Sequence, residues 1–207
     1  IKKNPLMSAS HNIMSKGRLD AFSAGVFAIL LTIMVLELHA PEGHTFEALK
    51  PVLPKFICYI LSFAYIGIYW NNHHHMFQAA KHVNGKVLWF NTLLLFFISL
   101  VSFATAWMGE NNFGSSAPVA LYGIILLMCA ISYTLLLFEL IRLHGKDSLL
   151  ATSIGKDSKG KISVIFYILG IMVSFYNPWI SVGLYFIVAI IWFIPDMRIE
   201  KRLKNEE

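Results

Sequence analysis

The sequence predicts an all-α integral membrane protein with six transmembrane helices per subunit and both termini on the cytoplasmic side. Of its 207 residues, 57% are hydrophobic and 14% are charged, whereas a soluble domain carries about 25% charged residues. The hydrophobic residues are grouped in blocks, and a helix that crosses a bilayer needs about 20 mostly apolar residues. The basic residues lie between these blocks, so they indicate membrane topology and argue against a nucleic-acid partner.

Six apolar blocks follow one another along the chain, at residues 19–38, 55–77, 87–108, 119–141, 162–176 and 179–194. Pro54, Pro118 and Pro178 each stand where a helix is expected to begin, a position that suits proline because its missing N–H would have no helical partner there. The last two blocks are short and are separated only by an Asn-Pro pair, so we expect a tight helical hairpin. Residues 1–207 are therefore predicted to form a single membrane domain, with a tail of mixed charge at residues 195–207.

Lysine and arginine residues predict the orientation of the chain. Fifteen of the seventeen fall in the termini and in the loops that share the terminal side, and only Lys50 and Lys55 fall on the opposite side. Because basic residues concentrate in cytoplasmic loops, both termini are predicted to be cytoplasmic. An even number of spans agrees with this orientation.

Polar residues occur at unexpected places in the first span. Arg18 and Asp20 open it, Thr32 lies near its middle and Glu37 near its end. Polar atoms inside a bilayer are costly, so they need partners or a function. We therefore expect this segment to be the working part of the protein.

The predicted orientation places Arg18 at the depth of the last turns of the second span, which read YWNNHHHMF. An arginine can stack on an indole and donate hydrogen bonds to an amide or imidazole, so we expect Arg18 to contact Trp70, Asn72 or a histidine. The three consecutive histidines point about 100° apart on a helix. They therefore suit an interfacial hydrogen-bonding cluster better than a metal site, and a pH-sensing role stays open.

The sequence has none of the common motifs of enzymes. It contains no G-x-S-x-G elbow, no glycine-rich phosphate loop and no carboxylate pair within the spans, so we expect neither an enzyme nor a bound cofactor. The stretch VGLYF at residues 182–186 is faintly similar to the channel filter sequence T-V-G-Y-G. It lies inside a continuous apolar span and lacks the second glycine, so it does not predict a filter.

Two motifs resemble those of the transmembrane protein 175 family. The stretch RLDAFSAGVFAILLTIMVLEL resembles its first-helix signature, Arg-x-x-x-Phe-Ser-Asp followed by an apolar helix, and WNNHHHMF resembles its Trp-x-Asn-His-His element. The stretches LWFNTLLLFFISLVSFATAWMGE and WFIPDMR are similar to its third helix and to the end of its sixth. The residues that match the two motifs are Arg18, Phe22, Ser23, Trp70, Asn72, His73 and His74.

The resemblance implies a potassium-permeable channel of six helices per subunit, a homotetramer in which the first helices line the pore without a re-entrant filter loop. The chain departs from the family pattern at two places. Ala24 stands where the motif has aspartate, so one carboxylate of the polar network is missing, and SFAT replaces the usual PFPT of the third helix.

A pore wall fits the middle of the first helix. Phe22, Gly25, Ile33 and Leu36 fall within about 40° of the line through Ile29, and Thr32 lies about 60° away. Four such stripes around an axis could enclose water. Rings of Ile29 and Leu36 would form a hydrophobic constriction, and Thr32 could offer oxygen atoms to a passing potassium ion.

Other function classes stay open beside the channel. A small secondary transporter, a proton-conducting membrane protein and a membrane-embedded metal enzyme would also carry polar residues in their spans. For the channel, we expect self-association as a homotetramer, a lipid bilayer around it, permeant monovalent cations and no nucleic acid. Apart from permeant K⁺ we expect no cofactor, and we expect the cell membrane of a prokaryote as the location.

The predicted topology can be tested by cysteine labelling in oriented membranes. Cysteines at Gly160 and Asn205 should react only with reagent on the cytoplasmic side, and a cysteine at Gly43 only with reagent outside, because of the asymmetry of basic residues. Labelling of the Gly43 position from the cytoplasm would overturn the topology.

Overall fold

The computed structural model describes residues 16–154 and 158–193. In this part of the chain the elements are α1 (Lys16–Leu36), a 3₁₀ helix (Phe46–Val52), α2 (Leu53–Ala79), α3 (Gly85–Glu110), α4 (Ser116–His144), α5 (Leu149–Ile154), α6 (Ser158–Ser174) and α7 (Pro178–Phe193). Pro54, Pro118 and Pro178 lie in the first turns of α2, α4 and α7. The tail predicted at residues 195–207 lies outside the described residues.

The prediction of six transmembrane helices is wrong. Within the described ranges, four helical segments are long and apolar enough to cross a membrane, at residues 16–36, 46–79, 85–110 and 116–144. The two helices at the C-terminal side, α6 and α7, have 17 and 16 residues. They are thus about 25 Å long, less than the roughly 30 Å thickness of a hydrocarbon core. Their blocks are continuously apolar, but apolarity alone does not make a helix long enough to span.

The long helices α3 and α4 pack against each other, and α4 also packs on α6 and α7. Tyr185 of α7 lies where two glycines make room for its ring, Gly123 on α4 and Gly170 on α6, because a Cβ at either position would overlap the ring. Its hydroxyl donates to the carbonyl oxygen of Val119 at 3.3 Å, and its own carbonyl accepts from the Tyr65 hydroxyl at 2.6 Å. Small residues of this kind let membrane helices approach closely.

The N-terminal ends of α1 and α3 and the C-terminal ends of α2 and α4 meet at one end of the molecule, which we call the basic end. Lys16 Nζ donates to the carbonyl oxygens of Phe77 at 3.2 Å and Ala80 at 2.7 Å. The backbone N–H of Lys81 donates to His144 Nε2 at 2.9 Å. These bonds satisfy polar groups left open where α2 ends, and they tie α2 to both α1 and α4.

Asn84 joins α3 to α4 at the same end. Its side-chain oxygen accepts from the backbone N–H of Val87 at 2.9 Å and caps α3, while its amide donates to Glu139 at 3.2 Å. Glu139 is buried and also accepts two hydrogen bonds from Arg142, each 2.9 Å long. A buried carboxylate in an apolar helix is thus fully paired, as its desolvation requires.

Candidate functional site

Helix α1 has one face that packs inside the subunit. Its buried residues recur every three or four positions and are Leu19, Ser23, Phe27, Leu30 and Met34. This spacing puts them on one side of an α-helix. The helix packs mainly on α2 and α3, so these two helices fix its rotation.

The opposite face of α1 is exposed and apolar. Ile29 is 57% exposed and Leu36 is 72% exposed, whereas the neighbouring Leu30 is only 9% exposed. Phe22, Gly25 and Ile33 continue the same exposed stripe. The stripe runs over 15 residues, from Phe22 to Leu36, or about 21 Å. Within the described chain it has no covering element, so it must face lipid, water or another subunit.

Thr32 lies beside the centre of this stripe and is exposed. Its hydroxyl donates within α1, at 2.8 Å to the carbonyl oxygen of Ile29 and at 3.2 Å to that of Ala28. A threonine hydroxyl has one donor and two acceptor lone pairs. Because the proton is used by the helix backbone, the side chain offers only acceptor capacity to whatever approaches the exposed face.

A chain of hydrogen bonds connects the buried face of α1 to α3 and α2. His73 Nε2 lies 2.7 Å from Asn91 Oδ1, and Asn91 Nδ2 donates to Ser23 Oγ at 3.0 Å. Ser23 Oγ then donates to the carbonyl oxygen of Leu19 at 2.8 Å. All three polar side chains are buried, and one hydrogen-bonded chain thus joins three helices.

The partners set the proton position on His73. Asn91 Oδ1 can only accept a hydrogen bond, so the Nε2 atom of His73 must carry a proton. The ring of His73 packs between two aromatic rings, with centroid distances of 4.5 Å to Phe77 and 5.6 Å to Phe27. The imidazole is therefore oriented by its neighbours and serves as a fixed donor between α2 and α3.

Asn91 is the residue of this network that the sequence analysis did not identify. It lies in the apolar run LWFNTLL and is buried. An uncharged amide inside a membrane-spanning helix is itself a signal, because it needs partners in the apolar interior. The amide can satisfy both neighbours since it has an acceptor oxygen and a donor nitrogen.

The structure does not bring Arg18 to Trp70, Asn72 or a histidine. Arg18 is exposed and makes no side-chain hydrogen bond or ion pair with any described residue. It lies in the first turn of α1 at the basic end, where a long cationic side chain can reach water. Its position needs no partner inside the subunit, in contrast to the buried serine five residues later.

The other predicted residues lie around the network but outside it. Trp70 is exposed and stacks on His74, with centroids 6.1 Å apart, while Asn72 donates to the carbonyl oxygen of Ile68 at 2.8 Å. Ala24 is exposed on α1. No group of three or more His, Cys, Asp or Glu side chains in the described ranges could hold a metal ion. Of the three histidines, His73 alone enters the buried network.

Comparisons with known proteins identify similar chains. Residues 18–101 match the family model described as the endosomal/lysosomal potassium channel TMEM175. The chain is 56% identical over 192 residues to a potassium channel of Chryseobacterium sp. (strain P1-3), covering 93% of this chain and 100% of that relative. It is 33% identical over 100 residues to the human endosomal/lysosomal proton channel TMEM175, covering 42% of this chain and 20% of that relative.

A solved structure has the same fold over most of the chain. It is the crystal structure of a lysosomal potassium-selective channel TMEM175 homolog from Chamaesiphon minutus. The match has a TM-score of 0.73 at 28% sequence identity, and it covers 87% of this chain and 97% of that one.

The buried network should contribute to stability. Asn91→Leu leaves the His73 Nε2 donor without its partner and removes one of the two hydrogen bonds of the Ser23 hydroxyl, and an unpaired buried group costs about 1–3 kcal/mol. We expect a clear drop in the thermal unfolding temperature of the purified protein in detergent. The control is Thr92→Leu at the next position, where the side chain is exposed. Equal unfolding temperatures for the two variants would show that the network does not contribute to the stability of the fold.

Proposed function

The chain belongs to the TMEM175 family of potassium channels, and we propose that it conducts K⁺ along the exposed face of α1 in an assembly of identical subunits. Its relatives and its family model confirm the family and the potassium-channel function predicted from the first-helix and histidine motifs. The protein is thus a multi-pass membrane protein whose activity is ion conduction. The bacterial origin of its similar relatives supports the plasma membrane of a prokaryote as its location.

The proposal of a pore is based on the exposed apolar stripe of α1. One copy of the stripe cannot enclose water, but several copies around a common axis can. We propose four copies, the number that the family resemblance implies. The buried face of α1 is held on α2 and α3 by the Ser23–Asn91–His73 network, which leaves the stripe free to face the axis.

The constriction would be formed by apolar side chains. Rings of Ile29, Ile33 and Leu36 narrow the path and disfavour water, and a hydrophobic constriction of this type resists ion passage by dewetting. Beside it, Thr32 presents oxygen atoms that can replace part of the hydration shell of K⁺. Permeant K⁺ is the only ion that this proposal requires.

The proposal uses no filter of the T-V-G-Y-G type. The VGLYF stretch lies inside α7 (Pro178–Phe193), where carbonyl oxygens are engaged in helical hydrogen bonds. Such carbonyls do not form the ring of free backbone oxygen atoms that a filter of this type uses. In this proposal the side-chain oxygen atoms that meet K⁺ are those of Thr32 on α1.

A second candidate function is proton conduction. It is supported by the name of the human relative, a proton channel of which this chain covers 20%. Liposomes that contain a pH-sensitive dye separate the two functions. Acidification driven by a proton gradient without K⁺ would support proton conduction, and flux that requires K⁺ would support the potassium channel.

The pore face can be tested with two neighbouring substitutions in α1. Ile29→Asn should raise K⁺ flux into proteoliposomes several-fold, because a polar side chain at the constriction favours water. The control, Leu30→Asn, lies about 100° away on the buried face, so it should lower the yield of folded protein without raising flux per folded channel.

Two results would contradict this choice of face. If Leu30→Asn raises flux and Ile29→Asn does not, the path follows another side of the helix. If neither variant changes flux in well-folded protein, α1 does not line the pore.

Thr32 should act on ion discrimination. Thr32→Ala removes an oxygen but little bulk, so we expect a lower ratio of K⁺ to Na⁺ permeability with a smaller change in total flux. The ratio is measured as the reversal potential under opposed K⁺ and Na⁺ gradients. Thr92→Ala is the matched control, since Thr92 is an exposed threonine of α3 whose hydroxyl also donates within its helix. An unchanged reversal potential in Thr32→Ala would remove this residue from the selectivity mechanism.

A further inference from the structure

We propose that a groove between α2 and α7 binds an anionic phospholipid from the leaflet at the basic end. The groove has a volume of about 470 Å³ and is lined by α2 from Tyr59 to Asn72 and by Trp192 and Phe193 of α7. This volume lies within the roughly 300–1,000 Å³ typical of small-molecule sites. The groove runs along α2, which belongs to a segment long and apolar enough to cross a membrane, so acyl chains are the solvent beside it.

The length of the groove suits the acyl chain of one leaflet. Asn72 follows Tyr59 by thirteen positions, which is about 20 Å along a helix, and one leaflet contributes about 15 Å of hydrocarbon. Asn72 lies toward the C-terminal end of α2, and hence toward the basic end. The walls below it include Ile60 and Phe63, both of which are exposed. The groove therefore has an apolar body that extends inward from a polar end.

Gly67 gives the groove its depth. A Cβ placed at this glycine would meet no atom within 4 Å, so the space above it is open. Ala64 lies one turn earlier and also lines the groove. Small residues at these positions leave a channel in the surface of α2 that a flexible chain can fill.

The polar end of the groove has the groups that a phosphate headgroup needs. Asn71 lines it and carries an amide donor. The Trp192 indole is fixed by donation from Nε1 to Ser163 Oγ at 2.7 Å, and Lys159 Nζ lies 5.9 Å from the centre of the Trp192 ring. A cation, an amide donor and an indole near the interface are typical of sites where a basic pocket between helices holds an anionic headgroup.

Charge favours a lipid over a second subunit as the occupant. A neighbouring copy in the same orientation would bring its own lysine-rich and arginine-rich end to this depth, next to Lys159. A phosphodiester brings the opposite charge. The inference depends on the groove between α2 and α7 and is independent of which face of α1 lines the pore.

Native mass spectrometry of the purified, delipidated protein tests the site. Phosphatidylglycerol and phosphatidylcholine with identical acyl chains are added separately, and bound lipid is counted on the intact assembly. We expect phosphatidylglycerol to bind at several-fold lower concentration than phosphatidylcholine. Gly67→Phe fills the groove and should reduce bound phosphatidylglycerol several-fold. Gly183→Phe, at an exposed glycine of α7 that also has open space above it, should leave the bound amount unchanged.

A charge variant provides a second measurement that does not alter the groove. Lys159→Gln should weaken binding of phosphatidylglycerol several-fold and leave phosphatidylcholine unaffected, while Lys86→Gln, at an exposed lysine of α3, should change neither.

Three outcomes would overturn the proposal. One is equal binding of the two lipids by the unmodified protein, and another is full phosphatidylglycerol binding by both Gly67→Phe and Lys159→Gln. The third is dissociation of the assembly by Gly67→Phe in the same spectra, which would make the groove a contact between subunits.

Discussion

The hydrogen bonds from His73 through Asn91 to Ser23 determine how α1 sits on the rest of the subunit. Buried polar groups must be paired, since each unpaired group costs about 1–3 kcal/mol. Turning α1 by one residue, about 100°, would move Ser23 away from Asn91 and leave the Asn91 Nδ2 donor without its partner in an apolar interior, while Ser23 keeps its bond to the Leu19 carbonyl. The network therefore favours the observed rotation of α1, which places Ile29 and Leu36 on the exposed side.

The apolar blocks and the helix period could be predicted from the sequence. A period of 3.6 residues already places Ile29 and Leu36 on one line, and the structure exposes that line. The choice of face could not come from hydrophobicity, because Ile29 and Leu30 are equally apolar and lie side by side. The choice comes from a polar residue, Ser23, whose partner is 68 residues away in the sequence.

The other differences between the sequence-based predictions and the structure also arise from helix rotation and helix length. The partner of His73 depends on how three helices are rotated. Arg18 and His73 were predicted to lie at the same depth in the membrane, but equal depth alone does not bring two side chains into contact. Arg18 can instead extend into water at the end of α1. The predicted number of spans was wrong at α6 and α7. A count of apolar blocks does not show whether a helix whose length is close to the thickness of the hydrocarbon core is long enough to cross it.

The position of Ala24 limits what the missing aspartate of the family motif can mean here. Ala24 follows Ser23 directly but points about 100° away from it, and it is exposed. The buried chain is complete without a carboxylate, because Asn91 satisfies His73 and Ser23 and the hydroxyl of Ser23 reaches the carbonyl of Leu19. The departure therefore leaves the internal support of α1 intact. Its effect falls on the outward side of the helix, where small side chains allow a neighbouring helix to approach closely.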